Sequence, residues 1–172
     1  MIAFVTVFIF GLLAAFFAVI VEIATSVNPL ALTLGTFRQF ESYADYLLSF
    51  TGIPLLILIA GIEELSRYVF LRQYALRFIF EPEALTRKQK ALLGIFFGLG
   101  FSSLEIFLLF QTEDQTPLLP LSGIVLVHVV LSVLFAFSLL RNTPKRTLST
   151  LLVLGLAILF HTLYNLAIVF LS

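Results

Sequence analysis

Apolar residues gather in five long runs separated by short polar stretches. The runs cover residues 2–24, about 46–71 with interruptions, 91–110, 118–140 and 148–171, and each meets the roughly 20 residues that a helix needs to cross hydrocarbon. Between them lie RQFESYAD (38–45), EPEALTRKQK (81–90), QTEDQTP (111–117) and RNTPKRT (141–147). The pattern predicts an all-α protein: a polytopic membrane helical bundle of about five transmembrane helices, with residues 1–172 forming a single integral-membrane domain. The first run has no basic residue before it and exceeds the length of a signal-peptide core, so it reads as a retained span. No internal repeat or low-complexity tract interrupts the pattern.

Composition sharpens this. The chain is 60% hydrophobic and 12% charged, with a mean hydropathy of +1.12, far from the make-up of a soluble domain. Its first partner is therefore the lipid bilayer. Ten basic and ten acidic residues cancel, leaving no basic field for nucleic acid, which is excluded as a partner. Cysteine is absent, which removes disulfides, thiolate metal sites and cysteine nucleophiles. The 20 Phe read as lipid-facing or core bulk.

Charge also orients the bundle. Arg67 near the end of the second run, and Arg72, Arg77, Arg87, Lys88, Lys90, Arg141, Lys145 and Arg146 after the second or fourth run, all fall on one side, and Arg38 alone falls on the other. By the positive-inside rule the N-terminus is cytoplasmic and the C-terminus outside, in the cell membrane. The acidic loops with Glu41, Asp45, Glu113 and Asp114 then lie outside.

Against that background a few polar residues stand out within or beside the spans: Glu63, Glu64, Arg67, Glu105, His128, His161 and Asn165. A charge at a span centre costs roughly 2.5–3.5 kcal/mol on insertion scales, so such residues point to function and to partners in the bundle interior. At about 1.5 Å per residue, His128 lies roughly 15 Å below Leu118 and His161 roughly 15 Å below Leu171. Glu64 reaches the same level if Thr51-Gly52 breaks the chain and Pro54 starts the second helix. In that register 46–52 is an outer interfacial segment, and the helix continues out of the membrane through Arg72 and Arg77.

Helical spacing sorts the faces. Glu63 and Arg67 are i,i+4 and predict an ion pair, whereas Glu64, about 100° away on the face with Tyr68, has no evident local partner. Phe101 with Glu105, and His161 with Asn165, are also i,i+4, so each pair points at one neighbour. Gly94, Gly98 and Gly100 give the third span a small-residue face for close approach. Carboxylates crowded in a low dielectric cannot all ionise cheaply, which suits general-base chemistry. A water held by Glu64 and Glu105 would lose a proton as it attacks a peptide carbonyl, with histidine and Asn165 N–H groups stabilising the oxyanion.

EELSR (Glu63, Glu64, Arg67), FSSLE (Phe101, Glu105), His128 and HTLYN (His161, Asn165), in that order on successive spans, resemble the intramembrane protease superfamily of PrsW-type proteases and CAAX prenyl endopeptidases. The resemblance covers a four-helix catalytic core of about 54–171, with span 2–24 outside it. It implies a glutamate-dependent endopeptidase that hydrolyses a peptide bond of a membrane protein or lipidated peptide. In the resemblance Glu63 and Glu64 map to the glutamate pair, one of which activates water. Glu105 stands at a water-positioning site, and His161 with Asn165 at the oxyanion site. Arg67, Phe101 and Tyr68 would support them. The glutamate-to-basic spacing is one residue shorter than in the CAAX pattern, and one turn after His128 stands Ser132, not a paired acidic residue.

Other chemistries fit less well. HExxH is absent, so no metal or other cofactor is expected; a zinc site, if present, would draw on Glu64, Glu105, His128 and His161. No GxSxG turn and no aspartate in a span support serine or aspartyl proteolysis. A proton-coupled transporter would want inverted repeats. The alternative from another class is a non-catalytic membrane scaffold or partner-binding protein related to the same superfamily, whose polar cluster only packs helices.

Overall fold

The computed structural model describes residues 2–25, 52–78, 85–112, 118–140 and 146–171, and the described residues form five helices and no strand. These are α1 (Ile2–Ala24), α2 (Gly52–Phe78), α3 (Arg87–Thr112), α4 (Leu118–Leu139) and α5 (Arg146–Leu171). Four of them, α1, α3, α4 and α5, are long and apolar enough to cross a membrane. The fold is thus a membrane helical bundle. The remaining helix, α2, is 27 residues long, but Glu63, Glu64 and Arg67 break its apolar stretch. Its outer face is as apolar as the others, with Ile57, Leu58, Leu65 and Val69 exposed.

Several boundaries differ from expectation. α2 begins at Gly52 rather than Pro54, which sits in its first turn, where a missing N–H costs nothing. The segment 46–51 lies outside the described residues, as do the acidic loops and Arg38, Arg141 and Lys145. As expected, α2 runs on through Arg72 and Arg77. The polar stretch 81–90 is only partly connection, because α3 already starts at Arg87. A capping box explains this: the Thr86 N–H donates to Gln89 Oε1 (2.8 Å) and the Gln89 N–H to Thr86 Oγ1 (3.3 Å). Lys90, in the first turn of α3, donates from Nζ to the Leu140 carbonyl (2.8 Å) and so satisfies the end of α4.

The helices close into a ring in which α1 packs between α2 and α3, α4 between α3 and α5, and α5 against α2. α1 is therefore part of the wall, not an appendage to a four-helix unit. Ring contacts fix its register. Phe4 stacks on Phe96 of α3, with centroids 4.8 Å apart. Phe10 meets Tyr74 and Phe78 of α2, and Phe17 meets Phe70; rising numbers on α1 meet falling numbers on α2, so the two run antiparallel.

Glycines set the closeness of two seams. The three glycines expected on one face of α3 in fact serve two. A Cβ on Gly94 or Gly98 would lie 2.5 Å from Val133 Cα or 2.6 Å from Val129 Cα in α4, while one on Gly100 would lie 2.1 Å from the Phe8 carbonyl oxygen in α1. Gly11 of α1 repays the contact against Phe97. Backbones this close leave no room for any side chain, the means by which membrane helices gain dispersion contacts that lipid cannot outcompete. The core that results holds Phe97, Phe101, Phe135 and Leu139, and outward-facing residues such as Val5, Phe107, Leu126 and Leu152 are left for lipid.

Candidate functional site

The polar residues of the spans meet inside the ring. Glu64, Arg67, His128 and His161 are all at most 1% exposed, a burial that such groups sustain only when each finds a partner. Glu64 is the hub. Its Oε1 accepts from His161 Nδ1 (2.7 Å), and its Oε2 accepts from an Arg67 terminal nitrogen one turn along α2. The second Arg67 terminal nitrogen donates to His128 Nδ1, and His128 Nε2 donates to Glu105 Oε2. A guanidinium only donates and a carboxylate only accepts, so these contacts fix His128 as the neutral ring protonated on Nε2.

The expected pairing on α2 is corrected by this geometry. Arg67 bonds to Glu64 at i,i+3, not to Glu63 at i,i+4. Both spacings are sterically open on a helix. The bundle interior chooses, because the Glu64 side of α2 is fully buried and holds His128, the second acceptor that the guanidinium needs. Arg67 also lies over the Phe101 ring, 4.4 Å from its centroid, a cation–π contact suited to a desolvated site. Phe101 and Glu105 do point at one neighbour: the Phe101 and His128 rings are 4.8 Å apart. His128 and His161 stand at one level, edge to face at 5.2 Å.

Glu63 sits differently. Its Oε2 lies 3.3 Å from His161 Nε2, within ion-pair range, yet that buried oxygen makes no hydrogen bond among the described residues. The distance is right and the alignment is not, so we read the contact as electrostatic. His161 is consequently held between two carboxylates, tightly by Glu64 and loosely by Glu63. Asn165, one turn further on α5, is half-buried and has no place in the hydrogen-bonded network. Tyr68 serves packing, its ring 6.2 Å from that of Phe135.

One residue of the cluster escapes the sequence reading. Glu22 of α1 is 7% exposed, and its Oε1 has no hydrogen-bond partner among the described residues. It lies within Coulomb range of both Glu63 and Glu105. The signal was there, since a lone carboxylate in a 23-residue apolar helix meets the same criterion as the others. Its place near the end of that run hides it.

Donor atoms of Glu63, His128 and His161 lie within 4.8 Å of one another, a spacing that could hold a metal ion. The set differs from the one expected for zinc, with Glu63 replacing Glu64 and Glu105. His128 fits it poorly, because Arg67 takes its Nδ1 lone pair and its Nε2 carries the proton given to Glu105. Without His128 only Glu63 Oε2 and His161 Nε2 remain, fewer than the three protein ligands of a catalytic zinc. Comparison of the chain with protein-family models, curated proteins and solved structures finds no match.

Proposed function

We propose that this membrane protein is a glutamate-dependent intramembrane endopeptidase, hydrolysing a peptide bond of a membrane protein or lipidated peptide. The observation that carries the proposal is the contrast between the two adjacent glutamates. Both Glu64 oxygens are committed, one to His161 and one to Arg67; among the described residues the buried Glu63 Oε2 has no hydrogen-bond partner. A committed carboxylate positions, and an uncommitted one beside an imidazole can take a proton from water.

In this scheme Glu63 is the general base. Glu64 fixes the orientation of His161 by accepting from Nδ1, as the carboxylate of a catalytic triad does. With its second nitrogen also protonated, His161 presents Nε2–H to the oxyanion that forms as water adds to the carbonyl. Arg67 neutralises Glu64, and the His128–Glu105 pair holds Arg67 in place from the far side. The resemblance of EELSR, FSSLE and HTLYN to PrsW-type and CAAX proteases supports the same assignment. Location in the cell membrane with the N-terminus cytoplasmic is part of the proposal. It rests on the basic residues Arg72, Arg77, Arg87, Lys88 and Lys90, which cluster where α2 ends and α3 begins.

A scaffold reading draws on the same network: Glu64, Arg67, Glu105, His128 and His161 bond to one another and would pin α2, α3, α4 and α5 together without any chemistry. Cleavage of a membrane-inserted peptide by the purified protein separates the two. Loss of cleavage in Glu63→Gln with an unchanged melting temperature supports the peptidase. Cleavage that persists in Glu63→Gln, or a wild type that cleaves nothing, supports the scaffold.

A further inference from the structure

The peptidase reading leaves a proton unassigned. An amide nitrogen must be protonated to leave, and the groups placed so far supply no proton for it, since the His161 Nε2–H is engaged by the oxyanion. His128 gives its proton to Glu105, His161 Nδ1 gives its proton to Glu64, and Arg67 stays charged. The charge count is incomplete as well. Glu22, Glu63, Glu64 and Glu105 lie within Coulomb range of one another or of Arg67 and His161, so even an imidazolium at 161 leaves two carboxylates in excess. Carboxylates crowded in that way share protons, the arrangement by which two-carboxylate hydrolases keep one acid and one base at the same pH.

Helix register brings the candidate to the site. Phe10 of α1 meets Tyr74 and Phe78, and Phe17 meets Phe70. Continuing that antiparallel register sets Glu22 opposite the turn of α2 that carries Glu63 and Ser66. Glu22 Oε1 and Glu63 Oε2 are both buried and both without a hydrogen-bond partner among the described residues, and orphaned buried oxygens of this kind mark a place for a proton, a water or an ion.

We propose that Glu22 is the acid partner of Glu63, the two carboxyl groups sharing one proton and holding the attacking water between them. The inference rests on the peptidase reading. Water oxygen bonds to the peptide carbonyl carbon while its proton passes to the Glu63 carboxylate. The C–N bond then breaks, its electron pair stays on nitrogen, and the Glu22 carboxyl proton completes the amine. The products are a carboxylic acid and an amine. The proton on Glu63 returns to Glu22, and the pair is restored with no outside reactant. α1, which lies outside the stretch that resembles known proteases, thereby supplies a catalytic residue.

The test uses the full chain in lipid nanodiscs with Glu22→Gln, Glu22→Asp and Glu63→Gln, each checked by thermal melting. Infrared spectra of the wild type should contain a carboxylic-acid C=O band that shifts in D2O. That band should vanish in Glu22→Gln and change in Glu63→Gln. A wild type without the band, or a band untouched by Glu22→Gln, overturns the proposal. In the activity arm, a membrane-inserted peptide amide is compared with the matching 4-nitrophenyl ester, whose leaving group needs no proton. Glu22→Gln should lose about 100-fold or more on the amide and much less on the ester, where only its hold on the water is missed, while Glu22→Asp recovers part of the amide rate. Equal losses on both substrates mean a structural role and overturn the proposal. If the wild type hydrolyses neither substrate, the peptidase reading falls by itself. The infrared arm then decides the proton-sharing pair: loss of the band in Glu22→Gln upholds it, and persistence ends it.

Discussion

His161 and Glu64 stand 97 positions apart in the chain, and the imidazole Nδ1 of one lies 2.7 Å from the carboxylate Oε1 of the other. That single bond ties α5 to α2 and sets which way the second ring nitrogen faces. It also makes Glu64 answer for two donors at once, the other being Arg67. Removing it should therefore unbalance the interior more than removing its neighbour.

Glu64→Ala leaves the Arg67 guanidinium buried without its counter-charge, and breaking a buried pair in this way costs about 3–5 kcal/mol. The melting temperature in detergent should fall sharply. Glu64→Leu combined with Arg67→Met, which removes both charges and keeps the volume, should recover much of the loss. A double variant no more stable than Glu64→Ala would refute the pairing.

Glu63→Gln should behave in the opposite way. Its Oε2 has no hydrogen bond to lose among the described residues, so stability should change by less than about 1 kcal/mol, within the range of substitutions that break no buried network. Peptide cleavage should fall by roughly 100-fold or more, the usual contribution of a general base. Parallel melting and single-turnover measurements on the same preparation check both halves.

The α3–α4 seam makes a steric prediction. A Cβ at Gly98 would lie 2.6 Å from Val129 Cα and 2.7 Å from the His128 carbonyl oxygen, whereas one at Gly61 meets nothing within 4 Å. Gly98→Ala should cost about 1–3 kcal/mol by overpacking and disturb His128 with it. Gly61→Ala should be neutral or slightly stabilising, since alanine is the better helix former. Equal melting temperatures for the two variants would contradict the packing.

Orientation can be read directly, because the chain has no cysteine. Lys88→Cys, at the basic end of the bundle, should resist a membrane-impermeant maleimide in intact cells, and Gln111→Cys, near the other end of α3, should react. The reverse labelling would invert the topology.

The five helices were legible from the chain because a bilayer imposes a length and a polarity that are one-dimensional. About 20 apolar residues in a row are a sufficient statement whatever lies beside them, and Ile2–Ala24 and Leu118–Leu139 fall within a residue of where hydropathy puts them. Helix ends governed by side-chain capping were less legible: Arg87, Lys88 and Lys90 read as loop until the Thr86–Gln89 bonds turn them into a first turn. The meeting of Glu63, Glu64, Glu105, His128 and His161 could be anticipated, since charged groups in lipid must find one another and residue counting gives their depth.

Partner choice was a different matter. Whether Arg67 turns to Glu63 or to Glu64 depends on which side of α2 faces His128, and no local spacing contains that information. Nor could Glu22 be set level with the Glu63 turn of α2 before the aromatic contacts of Phe10 and Phe17 fixed how α1 lies on α2. Depth in a membrane is a property of each segment alone, read from its own residues. Azimuth, the direction in which a helix turns each side chain, is settled only when close-packed neighbours compete for the same interior, and here that competition decided the site.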